Sequence, residues 1–296
     1  MFMGRLIDKS RVPPLLWQGA REAVRLCRFL TAPVRVMPDF IIIGAQRAGT
    51  TSLFHYARQH PCIGRSFGKE LHFFDNLDGS YHKGIMWYRA HFPSYLHKYY
   101  ARKVRGLDMI TGEASPYYLF HPLVARRISR VLPTVKLIAM LRNPVDRAYS
   151  HYHHNVKYGL ETLSFEAALD KEPERLDGEL EKILHDGRYR GHNHQHYSYL
   201  ARGVYVNQLK NWFSVFAREQ MLIIKSEDFY ADRLGVMRTF LEFIGAPAWE
   251  PTGYKQYNLG GYSKLDPAMR ARLVEYFRPH NQRLYEYLGR DFGWDE

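Results

Sequence analysis

The chain has 296 residues, 46% hydrophobic and 24% charged, which excludes a disordered chain, a collagen-like chain and a low-complexity repeat. The length suits one large domain with a buried core. Lys and Arg outnumber Asp and Glu by 42 to 30, and the resulting net charge of +12 favours an anionic partner. That charge alone does not choose among a nucleotide, an acidic glycan, nucleic acid and an acidic membrane. Cys27 and Cys62 are the only cysteines. They rule out a disulfide scaffold and a cysteine zinc cluster, and they fit a reducing compartment.

Taken in chain order, residues 1–37 read as a basic helical extension. Leu16, Ala20, Val24 and Cys27 recur at helical spacing between Leu15 and Leu30, with arginines between them. Such a helix either packs on the domain or rests on an acidic membrane as a basic amphipathic segment. Arg11, Arg21, Arg25, Arg28 and Arg35 interrupt every apolar run that could serve as a secretory signal. No run approaches the roughly 20 residues of a spanning helix, so a cytoplasmic protein is expected. Pro33 and Pro38 mark the boundary before the main domain, residues 38–296.

Three apolar runs read as strands: Phe40–Ile43, Val135–Leu141 and Met221–Ile224. Each is apolar on both faces, as in a parallel sheet covered by helices. Leu163–Leu169, Arg202–Ala217 and Met237–Ile244 have helical spacing. The alternation predicts an α/β fold with a central parallel sheet, and ligands in such folds sit at the carboxyl ends of the strands.

Two strand ends carry chemistry. After Phe40–Ile43 comes Gly44-Ala45-Gln46-Arg47-Ala48-Gly49-Thr50-Thr51-Ser52. Strand, glycine-bounded turn and helix start form a phosphate loop, with backbone N–H groups, three hydroxyls and Arg47 as donors. Thr50 stands where a nucleotide triphosphatase needs its lysine, so the loop reads as a phosphate cradle without a magnesium-bridged triphosphate. The bland alternative is a glycine-rich turn capping a helix. After Val135–Leu141 comes Arg142-Asn143-Pro144, then Asp146-Arg147 and Ser150. Pro144 opens a new helix. Arg142 and Ser150 can converge on a second phosphate, whereas Asp146 and Arg147 read as surface or structural charges. Two phosphate sites suggest a nucleotide phosphorylated on both sides of its ribose, such as 3'-phosphoadenosine 5'-phosphosulfate (PAPS).

The runs GAQRAGTTSL and LRNPVDRAYSHYHH resemble the nucleotide site of PAPS-dependent sulfotransferases, most closely the carbohydrate branch that includes the heparan sulfate enzymes and their bacterial relatives. Lys69-Glu70-Leu71-His72-Phe73-Phe74-Asp75 is similar to that branch's acceptor-side motif, and residues 276–294 to its C-terminal end. The resemblance implies the P-loop-like sulfotransferase fold, PAPS as donor, 3'-phosphoadenosine 5'-phosphate (PAP) as product and no required metal. It maps the 5'-phosphate loop onto Gly44 to Ser52 and the 3'-phosphate contacts onto Arg142 and Ser150. Tyr205 falls near the nucleotide, and Gly260, Gly261 and Lys264 fall where a loop closes over the 3'-phosphate. Glu70 becomes the candidate base and Arg47 the stabiliser of the leaving phosphate. His72, Asp75 and His154 are further catalytic candidates.

The chain also departs from that pattern. Ala114 replaces the lysine of the family's Glu-Lys-Thr/Ser-Pro run, and the region 257–264 lacks the family's cysteine pair. These differences point away from heparan sulfate itself and towards another hydroxyl acceptor, a carbohydrate or glycolipid, with no nucleic-acid partner. His192, His194 and His196 alternate; on a strand they would share one side and could bind a metal, and otherwise they form a polar loop. The competing functions are a P-loop small-molecule kinase and a basic polyanion-binding protein without catalysis.

Overall fold

The computed structural model describes residues 14–68, 70–251, 253 and 261–295. Five strands form one parallel sheet: β1 (Phe40–Gly44), β2 (Ile63–Gly64), β3 (Ile110–Ala114), β4 (Lys136–Leu141) and β5 (Met221–Lys225). Their order across the sheet is β2-β3-β1-β4-β5. All three apolar runs are therefore strands. Every residue of β1 is buried, because helices cover both faces of a central parallel strand.

The chain runs from β1 outward to β2 and β3 on one side, then returns to place β4 on the other. The connections leaving β1 and β4 thus diverge at their carboxyl ends and open a crevice there, the usual ligand position in open α/β sheets. Phe40 pairs with Gly112 in register. A Cβ on Gly112 would fall 2.4 Å from the Phe40 ring, so only glycine lets the two strands close at that level.

Helix α1 (Pro14–Leu30) stands off the domain: every side chain from Gln18 to Cys27 is exposed. Among the described side chains it is clamped at its C-terminal end, where Arg28 donates to the Ala90 and Phe92 carbonyls at 2.7 and 2.9 Å.

Two expected helices shift. The Leu163–Leu169 segment is helical over Phe165–Asp170. The Arg202–Ala217 segment is not one helix: a 3-10 turn over Ala201–Gly203 precedes the helix Tyr205–Phe213. The break has a packing cause, since Arg202 is wholly buried and Gly203 lies against the Phe277 ring. The Met237–Ile244 pattern belongs to the helix Arg233–Ile244.

Candidate active site

A cleft of about 1020 Å³ opens at the carboxyl ends of β1 and β4. The β1 loop supplies Gln46, Arg47, Gly49, Thr50, Thr51 and Ser52 to its wall. Gly49 precedes the helix Thr50–Ala57 at φ +96°, in the left-handed region that favours glycine. Its conformation turns the first N–H groups of the helix towards the cleft. Gly44, Ala45 and Ala48 do not line the cleft; they form the buried base of the loop.

β4 supplies the facing wall. Arg142 lies at its end, and the helix Pro144–Lys157 starts with Pro144 in the first turn and the Asn143 side chain accepting from the Val145 N–H at 3.0 Å. Arg142, Ser150 and His154 all line the cleft. Arg142 Nη1 donates to the Arg47 carbonyl at 3.1 Å, and Arg47 Nε donates to Ser150 Oγ at 3.0 Å. The two anticipated anion sites are therefore joined through Arg47.

Burial lowers the Arg47 pKa below the ordinary arginine value, and Arg142 adds to that pull. Among the described residues neither arginine has a carboxylate ion-pair partner. Two arginines lining one crevice without a carboxylate partner favour an anion there. Arg47 Nη1 also lies 3.4 Å from His154 Nδ1. Burial, then Arg47, hold His154 below the ordinary histidine range, so it faces the cleft as a neutral ring.

The third wall comes from the loop before Phe73. Glu70 and His72 both line the cleft, and both hold positive φ, at 55° and 48°. His72 Nδ1 is 2.7 Å from Asp75 Oδ2, and its Nε2 is 3.6 Å from Glu70 Oε2. Burial depresses the imidazole, but hydrogen bonds to Asp75 and Glu70 outweigh it and raise the pKa to about 10. His72 is thus an imidazolium at neutral pH. Asp75 does not reach the cleft; its buried carboxylate orients His72 from behind.

Beneath this loop lies a buried hydroxyl network. Ser115 Oγ accepts from the His72 N–H at 3.4 Å and donates to Glu113 Oε2 at 2.9 Å. Tyr118 Oη accepts from the Phe73 N–H at 2.9 Å and donates to Glu113 Oε1 at 3.5 Å. Burial pushes the Glu113 carboxyl up to about 7.

Other anticipated residues sit elsewhere. Tyr205 is buried under the crevice and donates to the Arg142 carbonyl at 2.8 Å. Gly261 lines the cleft, Lys264 does not, and Gly260 lies outside the described residues, as does Lys69. Asp146 lines the cleft and pairs with Arg270, whereas Arg147 is fully buried and donates to the Tyr199 carbonyl. His192–His196 is a short helix and not a strand. His194 points inward against Tyr117 Oη at 2.7 Å, and burial drives it to about 3. The His192 and His196 rings lie 4.5 Å apart, tilted by 46°, and of the three only His196 lines the cleft.

Sequence reasoning missed the contribution of β5. Ser226 Oγ donates to the Ala48 carbonyl at 2.8 Å, Glu227 Oε1 accepts from the Asn143 N–H at 2.8 Å, and both line the cleft with Tyr230. Tyr262 closes another side, stacked on His153 at 4.3 Å. The signal for Ser226 and Glu227 was available: they follow the third apolar run with only Lys225 between.

A glycine loop and a second arginine-bearing strand end, sharing one crevice in a parallel sheet, define a class of enzyme that holds a phosphorylated nucleotide and moves a group from it. Within that class the chain belongs to the sulfotransferase family, the sulfotransferase domain matching residues 37–255. It is 26% identical over 340 residues to a membrane-associated sulfotransferase of Dictyostelium discoideum, which covers 93% of this chain and 70% of that protein. It is 30% identical over 284 residues to heparan sulfate glucosamine 3-O-sulfotransferase 3B1 of Homo sapiens, covering 88% of this chain and 65% of that one. A sulfotransferase from Alicyclobacillus acidocaldarius has a similar solved structure, with a TM-score of 0.66 and 32% identity over 88% of this chain and all of that one. The chain thus spans about two thirds of the length of the two curated relatives.

Proposed function

We propose that this enzyme moves a sulfuryl group from PAPS to a hydroxyl of a carbohydrate, glycolipid or other small acceptor, with Glu70 as general base. The observation that carries the reading is a single cleft lined by the phosphate loop, by Arg142 and by Glu70. When bound, PAPS supplies a sulfuryl group attached to a phosphate that leaves readily.

The residues fit such a donor because Arg47 and Arg142 share a crevice without a carboxylate partner among the described residues. The helix N-terminus at Thr50, with the hydroxyls of Thr50, Thr51 and Ser52, would hold one phosphate. Arg142 would hold the other as a bidentate fork. Ser150 accepts from Arg47 and keeps its own O–H free to donate. Arg47 keeps its proton and acts as a fixed charge where negative charge grows on the leaving phosphate. Glu70 takes the proton of the acceptor hydroxyl. Asp75 fixes the His72 ring, and the imidazolium offers its other N–H beside Glu70.

The acceptor reading leans on the family branch: a relative that covers most of this chain is named for sulfation of glucosamine. Ala114 removes the lysine with which that branch would meet an acidic chain, which favours an acceptor other than heparan sulfate. No helix among the described residues is long and apolar enough to cross a membrane. The unpaired Cys27 and Cys62 suit a reducing compartment and support action in the cytoplasm.

The test is calorimetric titration with PAP in EDTA, beside ATP with magnesium. The expected result is micromolar binding of PAP alone. Binding of ATP only with magnesium would overturn the donor and leave a kinase. Binding of neither would leave a polyanion-binding protein.

A further inference from the structure

The helix Tyr95–Arg105 is packed the wrong way round for a domain helix. Of its residues only Ala101 is buried. Tyr95, Leu96, Tyr99, Tyr100 and Val104 are instead 54–75% exposed. At 3.6 residues per turn, Leu96, Tyr99, Tyr100 and Lys103 occupy one outward face with Arg102 to its side, whereas Lys98 and Arg105 lie on the side of the buried Ala101. Ten of the eighteen exposed large apolar side chains among the described residues lie either here or in Val24–Val34, so the exposure is concentrated and not scattered.

The two segments share a root. The Val36 N–H donates to the Pro93 carbonyl at 2.9 Å, Arg35 Nη1 donates to the Phe92 carbonyl at 2.8 Å, and Arg35 bridges to Ser94. The end of α1 is thus fixed beside the start of the second helix. On α1, Leu26 and Leu30 lie on one side and Arg21 and Arg25 on the other, with no domain surface against either from Gln18 to Cys27.

We propose that these two helices form a docking face for the surface of an anionic lipid bilayer. The composition selects the occupant. Tyrosines with leucine and valine between them suit the boundary of headgroup and acyl chain, where an amphipathic ring has one end apolar and the other wet. Lys and Arg around such a face reach phosphate headgroups with their charged ends while their stems lie along apolar surface. A soluble polyanion would be met by the charges but would leave Leu96, Leu26 and Leu30 in water. Unlike a spanning segment, this face binds reversibly and in proportion to the acidic lipid present. It is independent of the donor reading, since neither helix lines the cleft.

The test is co-sedimentation of the full chain with phosphatidylcholine vesicles, with and without phosphatidylserine. The wild type is expected to pellet with the acidic vesicles and remain free with the neutral ones. Leu96→Glu combined with Tyr99→Glu is expected to weaken binding by about tenfold or more, and Lys103→Glu by at least roughly fivefold. PAP titration of each variant serves as the folding control, because these side chains lie outside the cleft; its failure in the wild type would sink the donor reading alone. Equal binding to both vesicle types, or variants that bind like the wild type, would overturn the proposal. So would heparin binding without vesicle binding. A dimer that the Leu96/Tyr99 variant dissolves, with vesicle binding unchanged, would make this a contact between copies and also overturn it.

Discussion

The Tyr88 hydroxyl donates to Glu113 Oε1 at 2.6 Å, and both side chains are completely buried. Glu113 accepts from three hydroxyls, of Tyr88, Ser115 and Tyr118, and two of these carry the backbone N–H groups of His72, Phe73 and Phe74. A carboxylate outside the cleft therefore sets the position of a loop inside it. Glu113→Gln keeps the shape but turns an amide donor towards one of the donating hydroxyls. The expected cost is about 1–3 kcal/mol of stability, read by denaturant unfolding. Turnover is expected to fall while PAP affinity stays within about twofold, because the phosphate loop is untouched. Tyr88→Phe removes one of the three donors and should cost only about 1 kcal/mol. Equal loss of turnover and PAP affinity would show that Glu113 supports the whole domain and not the loop.

If Glu70 is the proposed base, its substitution should separate binding from chemistry. It lines the cleft from a different segment than the phosphate loop, so Glu70→Gln would remove the proposed proton acceptor while leaving Arg47, Arg142 and the helix N-terminus in place. Turnover should fall by roughly 10²–10⁴-fold, the usual span for a general base. PAP affinity should remain unchanged in the same preparation. Near-full activity with a genuine acceptor would remove Glu70 from the mechanism.

His72 makes a pH prediction whose sign follows from its partners. The ordinary histidine value is 6.5, and in the folded protein Asp75 and Glu70 raise it to about 10. The native state therefore binds this proton more tightly than the unfolded chain. The stability it contributes is complete below pH 6.5 and is lost as pH rises towards 10. His72→Gln removes that contribution. The gap in unfolding free energy between wild type and variant should be widest near about pH 6 and should close towards about pH 10. A gap independent of pH would mean that the imidazole does not titrate between the two values.

How much of this was readable from the chain depended on what each strand buries. β1, β4 and β5 were legible because their interiors are unbroken apolar runs, with a lysine only at one end of β4 (Lys136) and of β5 (Lys225). β3 was not legible: in Ile110-Thr111-Gly112-Glu113-Ala114, Gly112 admits the Phe40 ring from the neighbouring strand, and the buried Glu113 accepts from the hydroxyls of nearby Ser115 and Tyr118 and of distant Tyr88. The contributions of Phe40 and Tyr88 come from segments that no local pattern of β3 encodes. The helix Pro267–Leu288 was hidden by Pro279, a residue that argues against a helix interior. The phosphate loop and Arg142 were found by the rule of strand ends. Ser226 and Glu227 obey the same rule at β5, but they carry no glycine or arginine to draw attention. The orientation of His72 by Asp75 follows from two positive-φ residues, Glu70 and His72, which sequence spacing does not reveal.

Arg142 is the residue whose loss should distinguish the two phosphates. Its guanidinium faces the cleft at the end of β4, its carbonyl is held by Tyr205, and one of its N–H groups steadies the Arg47 carbonyl. If it holds the 3'-phosphate, Arg142→Ala loses a charge-assisted pair worth about 1.5–3 kcal/mol, or roughly 10–100-fold in PAP affinity. Adenosine 5'-phosphate, which lacks the 3' group, should bind the variant almost as well as it binds the wild type. The comparison also separates the two jobs of this arginine. A parallel loss for both ligands would mean that Arg142 acts by bracing Arg47 and the loop; a loss confined to the bisphosphate would mean direct contact. Arg142→Lys should recover only part of the difference, because an ammonium restores the charge but not the planar fork.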